Sequence, residues 1–219
     1  MADSRNLATT PRPSWRGRIH TWAFVVSIPA GILLLLSSHR AAARTSVAIY
    51  ALSLAAVFGT SAAYHRLARS ITARRRMRRL DHAMIYVLIA GTYTPLCLLA
   101  LPLAWGIPLL AVLWTGAAVG ITLQLIGVDR FRRISNIMYL VLGWAAIVGL
   151  PVMVHRLPSA SLTLMLMGGL AYTIGAIVFF LHRPNPAPMV FGFHEIWHAF
   201  TVLAGASHFA MIWMVATVH

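Results

Sequence analysis

The sequence predicts an all-α integral membrane protein, a bundle of seven transmembrane helices, and three observations carry that reading. Of 219 residues, 59% are hydrophobic and only 10% charged, whereas soluble domains carry about 25% charged residues. Apolar runs close to the roughly 20 residues that cross a bilayer recur along the chain. The basic residues, eighteen arginines and no lysine, lie between those runs and not on a soluble face.

In chain order, residues 1–19 read as a disordered polar tail with Pro11 and Pro13, and 20–219 as one seven-transmembrane domain. A cleavable signal peptide is not expected, because the first apolar run begins late and lacks a small-residue cleavage site. The spans are placed at 21–37, 46–64, 83–103, 107–128, 134–154, 160–181 and 195–217. Pro95 should kink the third, with Thr92 and Thr94 able to satisfy the freed carbonyls. Only the stretch Leu101 to Pro108 divides the third span from the fourth. The longest connection, 66–80, leaves no room for a second folded domain. The single cysteine, Cys97, falls inside the third span, which excludes a disulfide framework and a cysteine-based zinc site.

The arginines set the orientation. The tail and the 2–3, 4–5 and 6–7 connections hold fifteen of the eighteen, and the opposite side holds only Arg40, Arg44 and Arg156. The positive-inside rule then places the N-terminus in the cytoplasm and the C-terminus outside, in a cell membrane. Read as topology signals, the arginines imply membrane lipids as partners and no nucleic acid. The arginine-rich 2–3 connection is an anchor on this reading, and such clusters also attract anionic lipid headgroups.

That topology brings distant polar residues into one layer near the inner leaflet. His65 closes the second span, Asp81 opens the third, and His194 and His198 occupy the first turns of the seventh. His194 and His198 are at i and i+4, so both imidazoles project from one helix face, and Ser61 stands one turn deeper than His65. Three histidines and a water make a tetrahedral zinc site with one open position. Asp81 and Ser61 would orient or deprotonate that water. The blander alternative is that each histidine separately caps a helix or meets lipid headgroups. His194-Glu195-x-x-His198 also matches a metalloprotease pattern in which the glutamate is the base. At i+1, however, Glu195 points roughly 100° away from the histidine face, so it reads as a bystander. His208, about 15 Å further along the helix, cannot join the layer. It and Tyr172 read as buried hydrogen-bonding residues, and His82 as interfacial.

Ser61-x-x-x-His65, Asp81 sixteen residues later, and His194-x-x-x-His198 opening the last span together resemble the hemolysin III family. That family is related to the progestin and adipoQ receptors and more distantly to the alkaline ceramidases. The resemblance runs from Arg18-Ile19-His20 to Gly205-Ala206-Ser207-His208-Phe209. It implies a seven-span bundle with the N-terminus inside, and zinc held by His65, His194 and His198 with Asp81 and Ser61 beside the metal water. The acidic residue and asparagine often found before the first span in that family are absent near Arg16-Gly17-Arg18. Two classes of function stay open. One is a zinc-dependent hydrolase of a lipid amide or ester, with Asp81 taking a proton and the spans forming an acyl tunnel. The other is a non-enzymatic membrane protein with structural zinc: a regulator of membrane state, a receptor-like protein, or a pore-former. The lack of a polar stripe along the spans speaks against the pore.

Overall fold

The structure, a computed structural model, describes residues 13–218. The chain crosses the membrane seven times through eight helices: α1 (Arg18–Leu36), α2 (Ala41–Leu67), α3 (Ile71–Pro95), α4 (Leu103–Gly127), α5 (Arg132–Gly143), α6 (Ala146–Met153), α7 (Ser159–Leu181) and α8 (Phe193–Val218). The helices α5 and α6 share the fifth span, and α3 runs on as a π-helical turn over Leu96–Ala100. Large apolar side chains point outward, among them Trp22, Val26, Leu52, Ile126 and Val141. Such a surface suits hydrocarbon and not water. Tyr50, Tyr86, Met211 and Ile212 fill the interior.

Several helix ends differ from the sequence expectation. The apolar run marks where lipid is, whereas the helix continues into polar ground. Thus α2 extends beyond 46–64 in both directions. The 66–80 connection is mostly helix, because arginine is a good helix former and Ser70 supplies an N-cap, accepting from the Ala73 N–H at 3.1 Å. Asp81 therefore does not open its helix but sits in its third turn, about 15 Å from Ile71. The expected tail falls partly on residues 1–12, outside the described residues. Its remainder is placed: Ser14 and Trp15 donate backbone N–H groups to the carbonyls of Met189 and Val190, and α1 already begins at Arg18.

Pro95 has no N–H to give the Gly91 carbonyl, and beyond it the helix widens into the π turn. The neighbouring threonines bond the carbonyls of Leu88 and Ala90, at 2.7 and 2.8 Å, instead of the one that proline frees. The fifth span, expected to be continuous, breaks at Trp144 and Ala145. Tyr93 closes the break: its hydroxyl donates to the Gly143 carbonyl at 2.8 Å and accepts from the Ala146 N–H at 2.7 Å. Inside a bilayer such groups must be satisfied by protein.

Helices pack where small residues let them approach. Gly120 of α4 admits the Tyr86 ring, Gly168 of α7 admits His208, and Gly175 admits Trp197 and Phe200. The helix α7 packs chiefly on α8, while α5 packs on α3 and α4. An interior space is left between the α5–α6 span and α7, crossed by the Trp144 indole N–H donating to Thr173 Oγ1 at 3.1 Å.

Candidate metal centre

The arginine-rich end of the bundle gathers the three histidines. His65 lies in the last turn of α2, His194 and His198 in the first two turns of α8. The start of α8 is firmly set. Asn185 Oδ1 accepts from the Phe193 N–H at 3.3 Å, and Glu195 Oε2 accepts from the Gly192 N–H at 2.9 Å. This glutamate, at the third helical position reaching back to the residue before the helix, is half of a capping box. Its other oxygen takes the Arg16 Nε–H at 2.5 Å, and the carboxylate is only 1% exposed. Both oxygens are thus committed to holding the helix start and the N-terminal segment.

The histidine ring nitrogens that could hold a metal all lie within 4.8 Å of one another. Nε2 of His65 and Nε2 of His194 are 3.3 Å apart. Two nitrogens bound tetrahedrally at about 2.0–2.1 Å would stand about 3.3–3.4 Å apart, so this pair has the spacing of one tetrahedral edge. The donor set is three imidazoles, with no cysteine and no carboxylate among them, and imidazole suits zinc and its divalent neighbours. The residues therefore fit a bound transition metal.

A segment not foreseen in the sequence clamps the group. Gly17 adopts a left-handed conformation, with φ of 78°, against His65; a Cβ there would lie 2.7 Å from that of His65. His20 stacks on His198 with ring centroids 3.8 Å apart and planes within 6°. Thr201 gives its hydroxyl proton to the His198 carbonyl at 2.8 Å. The same Oγ1 is hydrogen-bonded to His20 Nε2 at 2.8 Å. The other ring nitrogen of His20, Nδ1, is buried with no hydrogen-bond partner among the described residues. Arg16, Gly17 and His20 thus touch Glu195, His65 and His198 in turn. The layer argument, applied to the first span as it was to the others, would have found His20; it lacks the i, i+4 partner that drew attention to α8.

Ser61 lies in α2 one turn before His65, and Asp81 lies in α3. Both line one cavity with His194 and His198, and its volume is about 470 Å³. From that polar end the cavity runs between α3, α5, α6, α7 and α8 toward Leu150 and Val154 at the other end of the bundle, past mostly apolar walls that also carry Tyr172, Thr173 and His208. His82 is not the purely interfacial residue the spacing suggested. It is half-buried, its Nδ1 lying 2.9 Å from the Arg78 carbonyl and 3.8 Å from Asp81 Oδ2, and it lines the same cavity. His208 stays outside the cluster, with Nε2 3.3 Å from the Met165 carbonyl. Tyr172 lies beside it, ring centroids 5.7 Å apart.

Comparison with known proteins gives a consistent picture. The sequence model of the family described as Haemolysin-III related matches residues 8–209. The chain is similar to Hemolysin-3 of Bacillus cereus, 36% identical over 193 residues, which cover 86% of this chain and 84% of that protein. It is similar to the Hemolysin-3 homolog of Bacillus subtilis (strain 168), 32% identical over 193 residues, 87% of each. It also resembles the monocyte to macrophage differentiation factor of Homo sapiens, 26% identical over 204 residues, covering 89% and 80% of the two chains.

Proposed function

The chain belongs to the haemolysin-III-related family, and from that premise we propose that this multi-pass membrane protein is a zinc-dependent hydrolase of a lipid amide or ester. Its arginine-rich end faces the cytoplasm of a cell membrane, with the N-terminus inside and the C-terminus outside. The observation that carries the proposal is the continuity of three features: the histidine cluster, Ser61 and Asp81 in the cavity wall, and a largely apolar cavity of about 470 Å³.

His65, His194 and His198 would hold the ion. Zinc so bound supplies a Lewis acid that lowers the pKa of a water and polarises a carbonyl. The residues around it do the rest. Asp81 takes the proton of the attacking water on its carboxylate and returns it to the leaving nitrogen or oxygen. Ser61, lining the same cavity, adds a hydroxyl beside that carboxylate's end of the site. The apolar walls take the acyl chain and exclude water, which strengthens every charge interaction at the polar end.

A second reading, zinc as a purely structural tie, is favoured by one specific observation: the group joins α2 to α8 under the N-terminal segment, as a structural clip would. The relatives' name suggests pore formation, but beyond Asp81 no carboxylate or arginine among the described residues lines the mostly apolar cavity, which gives ions no charged path. Purified protein, assayed by elemental analysis and for hydrolysis of acylated amides and esters, separates the readings. The hydrolase reading expects about one zinc per chain, turnover lost in His198→Ala, and turnover lost with zinc retained in Asp81→Asn. Asp81→Asn hydrolysing as fast as wild type would overturn it. Zinc removal that lowers the melting temperature of a protein with no turnover supports the structural reading.

A further inference from the structure

A second concavity lies at the same end of the bundle but apart from the histidine site, across the ends of α3 and α4. It encloses about 360 Å³ and is walled by Arg75, Arg78 and Arg79 of α3 and by Gly127 to Arg130 beyond α4. Spacings of three and four residues put the three α3 arginines on one face. Four guanidinium groups share the pocket with a single carboxylate, that of Asp129.

Two of the four are fixed before any ligand arrives. Arg78 donates from both terminal nitrogens to Asp129, at 2.9 and 3.3 Å. Arg79 donates to the Leu125 carbonyl at 2.9 Å, covering one of the orphan acceptors at the end of α4. Arg130 lies over the Phe131 ring, 5.3 Å from its centroid. Arg75 is exposed and has no hydrogen bond or ion pair among the described residues. Leu80, Leu125 and Ile126 stand exposed beside the pocket, at the level where acyl chains begin below a headgroup. Basic pockets between helix ends in this setting take lipid phosphates, and arginine's planar fork suits them better than a point charge.

We propose that this pocket binds the phosphate of an anionic phospholipid headgroup, with the acyl chains running down over Leu125 and Ile126. The assignment is independent of whether the histidine site is catalytic. It gives the arginine-rich segment a defined ligand contact beyond its part in setting topology.

The test uses the full chain in detergent, titrated with phosphatidylglycerol or phosphatidylcholine and read by native mass spectrometry as lipid retained per protein. Phosphatidylglycerol should be retained at least tenfold better than phosphatidylcholine. Arg75→Gln, which leaves most of the arginine asymmetry intact, should weaken retention about fivefold, the loss expected for one basic residue near an anionic surface. Asp129→Asn removes the competing carboxylate from the Arg78 fork and should strengthen retention. Arg44→Gln, exposed at the opposite end, should leave it unchanged. Equal retention of the two lipids, weakening by Asp129→Asn, or equal losses in Arg75→Gln and Arg44→Gln would each overturn the assignment. Displacement of the lipid by an equal concentration of inorganic phosphate would overturn the lipid as the source of that phosphate.

Discussion

Replacing Glu195 by glutamine separates the two roles that His194-Glu195-x-x-His198 could assign to its acid. The substitution keeps the shape of the side chain and an acceptor for the Gly192 N–H, and removes the charge opposite Arg16. A hydrogen bond to a charged group contributes about 1.5–3 kcal/mol, and removing one partner of a fully buried pair costs about 3–5 kcal/mol. Here Glu195 is buried but Arg16 is 21% exposed and can regain water. The lower range applies, giving a loss of about 2 kcal/mol. At roughly 2–4 °C per kcal/mol for a domain of this size, the melting temperature in detergent should fall by about 4–8 °C. Glu195→Ala, which also forfeits the cap, should cost about 1 kcal/mol more. Metal content, read by elemental analysis, should survive in the glutamine variant. Loss of a general base would instead cost about 10²–10⁴ in rate and no stability. An unchanged melting temperature refutes the account of Glu195 as cap and clamp, and one combined with abolished hydrolysis would make the glutamate the base.

Three further outcomes follow from the geometry. His20→Ala removes the ring stacked on His198 and should weaken metal binding about 10- to 100-fold by competition with a chelator, the usual effect of a residue that orients a ligand, while His20→Phe recovers part of it. Tyr93→Phe strips both hydrogen bonds from the break between α5 and α6; a loss of about 1–3 kcal/mol and faster amide exchange at Ala146 are expected, and unchanged exchange would refute the stitch. Because imidazole binds metal only when neutral, acid should release the bound metal, measured by dialysis and elemental analysis, and a metal affinity independent of pH would argue against an all-histidine site.

The layer containing the site was legible because arginine counting fixes which helix ends share a side, and that alone brings His65, Asp81, His194 and His198 together across the sequence. What the periodicity of apolar residues could not report was where helices end. Residues 71–80 are polar yet helical, since arginine combines high helix propensity with aversion to lipid. The break at Trp144 was hidden for a different reason: the apolar run is continuous there, and the residue that makes the break tolerable, Tyr93, lies about fifty positions away. The clamp by Arg16, Gly17 and His20 was equally invisible, resting on a left-handed glycine and a ring stack between the first and last spans.

The way the site is closed bears on whether it is catalytic. A structural zinc site normally has four protein ligands, and among the described residues no fourth histidine, cysteine or acid joins the three histidines. Glu195 is engaged by Arg16 and Gly192, and His20 by Thr201. A tetrahedral ion at this place would therefore keep a position for water. The N-terminal segment packs over His65 and His198, whereas the polar end of the cavity, with Asp81 and Ser61, remains continuous with His194 and His198. A clip built only to tie α2 to α8 would gain nothing from a space of about 470 Å³ beside it, and in a bilayer protein an apolar chamber of that size is room for an acyl chain. These features support the proposed hydrolase over a zinc that only braces the bundle.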